Sequence, residues 1–201
     1  MTYRSQKAAI RTLTTRAAAQ GGYFTAKQAR EAGYAASHLA HHVKAGNFER
    51  VGHGLYRIPG MPISEHDDLI RLSLWSRGHD DQPQAVVSHQ TALRLYDLGE
   101  LITSDTHLTV PTSFRKRAPR GCRLHKGLLA PDHSKSMSSF RVTTPRRTLE
   151  DLSSDPSMPQ EQFLKSIQTA FDRGMIRRAQ LKQLLMDLTP RRESRTKKAA
   201  R

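Results

Sequence analysis

The stretch GGYFTAKQAREAGYAASHLAHHVKAGNFERVGHGLYRIPG, residues 21–60, decides the predicted fold of the amino-terminal part of the chain. Thr25 is a residue type that caps helices well, and it predicts a short helix that is ended by Gly33. Ser37 predicts the cap of a further helix at 38–45, because serine is favoured at that position. Two short helices joined by a tight turn are therefore expected in the first half of this stretch.

A hairpin and an earlier helix complete the predicted amino-terminal domain. Apolar residues on both sides of the glycine-flanked His53, within 48–58, are typical of two short strands joined by a turn. Upstream, apolar residues recur at helical spacing between Ala8 and Ala18. Three short helices followed by a hairpin are the order of a winged helix-turn-helix, so we predict this fold for residues 1–60.

Beyond residue 60, helical and strand patterns alternate and predict a second, mixed domain. The predicted helices lie at 65–77, 88–97, 145–152, 159–173 and 178–187, and the first is apolar enough to need a second core. The predicted strands lie at 85–87, 107–110 and 140–142. We therefore expect an α+β protein with an N-terminal winged helix-turn-helix at 1–60, a mixed α/β C-terminal domain at 61–187 and a basic disordered tail at 188–201.

The chain is strongly basic, with 33 Lys and Arg against 18 Asp and Glu and a net charge of +15. Residues 1–60 hold 9 basic and 2 acidic side chains, an excess of +7. Such a balance favours a polyanionic partner, either a nucleic acid or an anionic membrane surface. No apolar run approaches the roughly 20 residues of a membrane span, and one cysteine cannot form an internal disulfide, so we expect a cytoplasmic protein.

The helix predicted at 38–45 carries the expected DNA-reading residues. If Leu39 and Val43, four residues apart, face the core, their polar neighbours project outward. A recognition helix meets base edges in the major groove with its first turns. The predicted recognition residues are Ser37, His38, His41, His42 and Lys44.

Phosphate contacts are predicted on the hairpin, which would form the wing, and next to it. Arg50 and Arg57 flank the hairpin, and His53 lies at its tip between glycines that allow the backbone to approach a phosphate. Lys27 joins this predicted set. The turn-rich segment 115–126, which contains no acid, predicts a second basic surface that contacts phosphates, contacts another partner or is merely solvated. The members of the second basic surface are Arg115, Lys116, Arg117, Arg120, Arg123 and Lys126.

The histidines and the cysteine form no familiar metal-binding motif. The sequence HLAHH at 38–42 contains no carboxylate and so fails the pattern of zinc-protease helices. Cys122, His125 and His133 could supply three ligands, but their spacing matches no common site. We therefore expect no metal and no cofactor.

Catalytic motifs are also missing from the sequence. Ser88 and His89 are neighbours whose side chains point apart on most backbones, and Ser88 is more simply explained as a helix cap. The paired acids Asp67 and Asp68 have no strand context that would support the magnesium site of a nuclease. Neither a phosphate-binding loop nor a dinucleotide fingerprint occurs. The chain is therefore not expected to be an enzyme.

Three stretches together resemble the AbiEi family of antitoxins from bacterial type IV toxin–antitoxin systems: residues 21–60, AVVSHQTALRLYDLG at 85–99 and RVTTPRRTLEDL at 141–152. The second and third are the more specific, since winged helices occur in many regulators. The resemblance covers roughly residues 5–187 and implies an amino-terminal winged helix before an α/β domain. It also implies a repressor that binds inverted repeats at its own promoter and opposes a nucleotidyltransferase toxin.

Two other functions stay open on the sequence alone. One is a nuclease-like, nucleic-acid-processing enzyme in which the winged helix only delivers the substrate. The other is a protein-interaction module that uses the winged helix as a docking surface. Acidic clusters would favour the enzyme, and salt-insensitive binding of a partner would favour the docking module.

Overall fold

The computed structural model describes residues 3–99 and 105–186, with side chains described from residue 7 onward. The fold is a mixture of helices and two sheets, as the α+β prediction requires. The described residues up to Gln84, together with Ser138–Phe140, form one compact unit, here called unit 1, and the other described residues form unit 2. The domain boundary predicted at residue 60 falls inside unit 1, just after its hairpin.

Unit 1 consists of helices around a small antiparallel sheet. Its elements are α1 (Tyr3–Ala18), β1 (Tyr23–Thr25), α2 (Ala26–Glu31), α3 (Ala36–Lys44), β2 (Glu49–Gly52), β3 (Leu55–Arg57) and α4 (Asp67–Trp75). The strands have the order β1-β3-β2, with Tyr23 and Glu49 on either side of Arg57. Strand β1 is absent from the sequence prediction, because three residues carry too little pattern and their pairing partner is distant in the chain.

One face of α1 supplies the apolar core of unit 1. Ala9, Leu13 and Ala17 are buried at intervals of four residues, which places them on one side of the helix. Of the predicted apolar face, Leu13 and Ala17 are buried, whereas Ala8, Ile10 and Ala18 are exposed, Ile10 to 45%. An alanine-rich helix has several faces of similar apolarity, so packing rather than periodicity decides which one is buried.

Aromatic packing joins the helices of unit 1 to its hairpin. The fully buried ring of Phe24, on β1, lies edge-on to Phe48 with the ring centroids 4.9 Å apart. On its other side Phe24 stacks on Tyr56 of β3, with the centroids 5.5 Å apart. Each such pair adds about 0.5–1.5 kcal/mol beyond the area it buries. The hairpin is thereby held against the same core as α3.

The starts of α2 and α3 differ in how closely they follow the sequence prediction. The predicted cap of α2 is confirmed: the Thr25 hydroxyl accepts from Gln28 N at 3.2 Å, and Gln28 Oε1 accepts from Thr25 N at 2.9 Å. The predicted cap of α3 is wrong. This helix begins at Ala36 with Ala35 at the N-cap, and Ser37 lies in its first turn. The Ala35 backbone is already extended there, and no side chain caps the helix.

The helix predicted at 65–77 forms as α4, but it belongs to unit 1 rather than to a second core. Leu69 and Ile70 are buried within unit 1. The Tyr23 hydroxyl donates to the Asp67 carboxylate at 2.8 Å, and burial together with this bond raises the pKa of Tyr23. Unit 1 therefore extends beyond the hairpin.

Unit 2 is built on a five-stranded sheet with the order β6-β5-β4-β8-β7. Its elements are β4 (Val86–Val87), α5 (His89–Leu95), β5 (Thr106–Val110), β6 (Cys122–Lys126), a 3-10 turn (Pro131–His133), β7 (Ser134–Met137), β8 (Phe140–Thr143, whose first residue is grouped with unit 1), α6 (Pro145–Ser153) and α7 (Gln160–Asp172). Strand β5 runs parallel to β6 and antiparallel to β4, and β4 runs parallel to β8. Residues 178–186 are helical as predicted, whereas residue 187 and the predicted tail at 188–201 lie outside the described residues.

The second half of the segment predicted as turn-rich is a strand. Residues 122–126 form β6 and pair in parallel with β5, from Thr106 opposite Cys122 to Val110 opposite Lys126. Strand β6 lies at the edge of the sheet, and its exposed Arg123 and Lys126 are the charged residues typical of such edges. The density of basic residues concealed the strand, because charge alone suggests a loop.

The junction between β4 and α5 also differs from the sequence prediction. Ser88 occupies the N-cap position of α5, but its hydroxyl makes no capping bond. Instead, it accepts from Thr109 Oγ1 at 2.9 Å and lies 3.0 Å from His89 Nδ1. The prediction that the Ser88 and His89 side chains point apart is wrong. Neighbouring side chains point apart on ordinary extended or helical backbone, but His89 has a φ of +51°, which lies in the left-handed region.

Candidate nucleic-acid interface

Helix α3 turns one polar face to solvent. Leu39 is only 3% accessible, and Val43, one turn later, packs against the edge of the same apolar core. These two residues fix the orientation of the helix, since residues four apart share a face. Four of the five predicted recognition residues are exposed: Ser37, His38, His41 and Lys44.

His42 is placed differently from the other predicted recognition residues. Its ring centroid lies 5.0 Å from that of Phe48 and 5.4 Å from that of Tyr34, and its Nδ1 is 3.2 Å from Asn47 Nδ2. Burial lowers the pKa of His42, and the neighbouring histidines of α3 lower it further. The His42 side chain is therefore a partly buried packing group that supports the end of α3.

The turn before α3 is fixed by a glycine and a buried tyrosine. Gly33 has a φ of +103°, which a side chain would oppose, and its N–H donates to the Arg30 carbonyl at 2.9 Å. The next N–H, from the buried Tyr34, donates to the Ala29 carbonyl at 2.9 Å. The connection between α2 and α3 is therefore short and hydrogen-bonded, which holds α3 in place.

The hairpin exposes two of its predicted contact residues. Arg50, on β2, and His53, in the turn, are both exposed. The turn uses Gly54 at a φ of +65°, and the Gly54 carbonyl accepts from Ala26 N at 2.8 Å. This bond ties the tip of the hairpin to the start of α2.

Arg57 lies inside unit 1 and not on the surface of the hairpin. The residue is 9% accessible, and its guanidinium donates to the Met61 carbonyl. The guanidinium carbon is 5.9 Å from the centroid of the Tyr23 ring, and Nη1 is 3.7 Å from the Glu49 carboxylate. All of these partners belong to unit 1, so the structure gives Arg57 a packing role in place of the predicted phosphate contact.

Helix α2 presents one predicted basic residue and one that the sequence analysis missed. Lys27 is partly buried, and its ammonium donates to the His79 carbonyl. Arg30, in the last turn of the helix, is exposed. Gln28 and Ala29 are both buried. Three consecutive residues of a helix cannot share one face, so the next residue, Arg30, points outward.

Both acidic side chains of residues 1–60 are paired with arginine. Arg16 Nη1 is 2.6 Å from Glu31 Oε2, and this hydrogen bond lowers the pKa of Glu31. Glu49 is the partner of Arg57, as described above. A phosphate that approaches residues 1–60 therefore meets a surface whose carboxylates are already paired with arginine.

The second basic surface is exposed in unit 2. Its first four members lie in the connection between β5 and β6, and the other two lie on β6. All six are exposed: Arg115, Lys116, Arg117, Arg120, Arg123 and Lys126. Unit 2 therefore carries the predicted concentration of positive charge, although part of it lies on a strand.

Residues 11–59 match the model of a family described as a transcriptional regulator, the AbiEi antitoxin. The match starts within α1 and ends just after β3, so it confirms the predicted resemblance for the first three helices and the sheet of unit 1. The description names a regulator and no enzymatic reaction. No curated protein matches the chain. Among residues 3–99 and 105–186, no helix has both the length and the apolar character needed to cross a membrane.

Proposed function

We propose that unit 1 binds double-stranded DNA as a winged helix-turn-helix and that the protein is a transcriptional repressor. The order α1, β1, α2, α3, β2, β3 supports this proposal, because it combines a helix-turn-helix with a two-stranded wing. The matched family, described as a transcriptional regulator, covers the same elements. The proposal places the DNA-binding domain at residues 1–60, with α4 as an addition that packs on it.

The observation that carries the proposal is the polar face of α3. Ser37, His38 and His41 are exposed together, and their hydroxyl and imidazole groups can both donate to and accept from base edges. Ala40 is also exposed among them, and its small side chain allows the helix to approach the floor of the groove or a thymine methyl. Each well-formed base contact would contribute about 1–3 kcal/mol to discrimination between sequences.

The wing and the end of α3 would bind the phosphate backbone of the duplex without contacting its bases. Arg50, His53 and Lys44 are exposed and suit phosphate contacts. We leave Arg57 and Lys27 out of this set, because both already donate to carbonyls of unit 1. The net charge of +15 would strengthen binding of any duplex and make it salt-dependent.

The cellular role that we propose follows the matched family. The protein would bind inverted repeats at its own promoter and act as the antitoxin of a type IV toxin–antitoxin system, whose partner is a nucleotidyltransferase toxin. Unit 2, which begins at Ala85, would then be the α/β antitoxin-like domain. In this role the protein has no catalytic function of its own.

The test uses the whole chain, without a histidine tag, and the DNA upstream of its own coding region. Footprinting should show two protected half-sites about one helical turn, or a multiple of it, apart, if a dimer binds an inverted repeat. At equal salt concentration, affinity for this fragment should exceed that for a shuffled duplex by at least about 10³-fold. Equal affinity for the two duplexes would contradict sequence-specific repression, and no binding to either would contradict DNA binding altogether.

A further inference from the structure

Three histidines that are far apart in the sequence meet beside the edge of the unit 2 sheet that β5 and β6 form. His89 follows β4 and opens α5, His107 lies on β5, and His125 lies on β6. Because His125 is opposite Thr109, two residues after His107, both rings lie on the same face of the two parallel strands. The ring centroid of His125 is 3.6 Å from that of His89 and 5.1 Å from that of His107.

The ring nitrogens of this histidine cluster are close enough to share one ion. One nitrogen from each of the three residues lies within 4.8 Å of the other two. His125 Nε2 and His107 Nδ1 are 3.1 Å apart. Zinc–nitrogen bonds of about 2.0–2.1 Å in tetrahedral geometry put ligand nitrogens about 3.3 Å apart. The His89 and His125 rings are stacked at an interplanar angle of 14°, so to share one ion the rings must turn until a nitrogen lone pair of each points at it.

Buried hydroxyl groups orient the cluster from behind. Ser88 Oγ lies 3.0 Å from His89 Nδ1 and accepts from Thr109 Oγ1 at 2.9 Å. When Nδ1 of His89 carries the proton and donates a hydrogen bond to Ser88 Oγ, Nε2 of His89 keeps a lone pair that can bind a metal. Such outer hydrogen bonds are what metal-ligating histidines use to fix their tautomer and ring orientation.

The backbone at His89 turns the chain between β4 and α5. Its φ of +51° lies in the left-handed region, where asparagine, aspartate and histidine are the side-chain-bearing residues found most often. Histidine is therefore a suitable residue type at the turn that brings the first ring into the cluster.

The electrostatics of the cluster suit a cation. Burial, reinforced by repulsion between the rings, lowers the pKa of His89 to about 3 and that of His125 to about 4. The rings are therefore uncharged at neutral pH and have lone pairs available. Asp155, which accepts from Gln90 Nε2 at 2.6 Å, acts on all three rings as a compensating negative charge, whereas Arg147 opposes it at His89 and Arg123 opposes it at His107 and His125.

We propose that His89, His107 and His125 bind a single Zn²⁺ ion. Three neutral nitrogen ligands favour zinc and related transition metals over Mg²⁺, which prefers oxygen ligands. Three protein ligands also leave a fourth position for a water molecule or a group from a partner. The sequence predicts no metal, because the ligands come from three elements and no short-range spacing connects them. The site is distinct from the DNA-reading surface and stands without the function proposed for unit 1.

The test measures Zn²⁺ binding to the whole chain, purified without a histidine tag, in competition with a chromophoric chelator. The parent should bind one Zn²⁺ tightly and show no comparable response to Mg²⁺. His125→Ala removes a partly buried ligand and should weaken binding by at least about 100-fold, since loss of an outer-shell partner alone costs 10–100-fold. The matched control is His133→Ala, because His133 is also partly buried in unit 2 and its loss should leave the affinity unchanged.

Two further measurements keep the test decisive. Co²⁺ in the parent should give the strong visible absorption of a tetrahedral site, and His125→Ala should lose this absorption while keeping the circular dichroism of the parent. The double variant His38→Ala/His42→Ala should retain the tight site, which separates the histidine cluster from the helical pair in unit 1. A parent that binds Zn²⁺ no better than His125→Ala, or tight binding that survives in His125→Ala, would overturn the proposal.

Discussion

Arg50 and Arg57 look equivalent in the sequence, since each flanks the turn of the same hairpin, but the structure separates their roles. Arg57→Ala removes the donor to the Met61 carbonyl and the cation beside the Tyr23 ring. It also removes the long ion pair with Glu49. Arg50→Ala removes an exposed side chain on β2. We therefore expect the first change to affect folding and the second to affect DNA binding.

The size of the folding effect follows from the contacts of Arg57. A hydrogen bond from a charged donor contributes about 1.5–3 kcal/mol, and a cation beside an aromatic ring adds about 0.5–1 kcal/mol. The ion pair adds little, because the Glu49 side chain is 53% accessible and the charged atoms are 3.7 Å apart. Burying the guanidinium carries a desolvation penalty, which the variant no longer has. The net loss in the free energy of unfolding on Arg57→Ala should therefore be about 2 kcal/mol. For a unit of this size that loss lowers Tm by roughly 8–16 °C.

The assay is thermal unfolding followed by the fluorescence of Trp75, the single tryptophan of the chain, which lies on α4 of unit 1. Arg50→Ala should stay within about 0.5 kcal/mol of the parent. It should instead lower the slope of log affinity for DNA against log salt by about 0.9, as expected for one lost phosphate contact. An Arg57→Ala variant that keeps the Tm of the parent and shows the decrease in salt slope expected for Arg50→Ala would refute the structural role of Arg57.

Three further predictions concern other parts of the molecule. Thr25→Ala should destabilise unit 1 by about 1 kcal/mol in the same unfolding assay, whereas Thr25→Ser should not, because serine keeps the cap. Replacing the basic residues at 115–117 with Ala should lower the salt slope of DNA binding by as much as about 2.7 and leave operator preference unchanged, and an unchanged slope would show that this surface lies off the DNA. In metal-free protein, the imidazole NMR signals of His89 and His125 should titrate near pH 3 and 4. Their folded-state pKa values lie below the unfolded value of about 6.5, so unit 2 should lose stability as pH falls from 6.5 towards about 3, and titration near 6.5 would contradict this expectation.

Local signals account for what the sequence predicted correctly. The cap at Thr25 and the glycine turn after His53 depend on residues within a few positions of each other. The apolar pair Leu39 and Val43 likewise fixed the outward face of α3, because helical periodicity is itself local. The predictions that identified the candidate DNA-reading face were of this kind.

What the sequence could not predict depends on pairing over long distances. The inward position of Arg57 follows from the register of β3 between β1 and β2, and a strand of three residues shows no reliable alternation. The histidine cluster exists only because β5 and β6 pair in parallel and α5 starts beside them. His42 looked like a surface residue until its contact with Phe48 was known.

The most direct test of the DNA-binding proposal is the ratio of affinities for the operator and for a shuffled duplex, measured at one salt concentration. The triple variant Ser37→Ala/His38→Ala/His41→Ala should reduce that ratio by about 5–150-fold for each genuine base contact, since each contributes about 1–3 kcal/mol. Its affinity for the shuffled duplex should hardly change. A matched triple change of the exposed residues Arg11, Thr12 and Thr15 on α1 to Ala should leave the ratio as in the parent. A triple variant in α3 that still discriminates as well as the parent would show that this face does not read DNA.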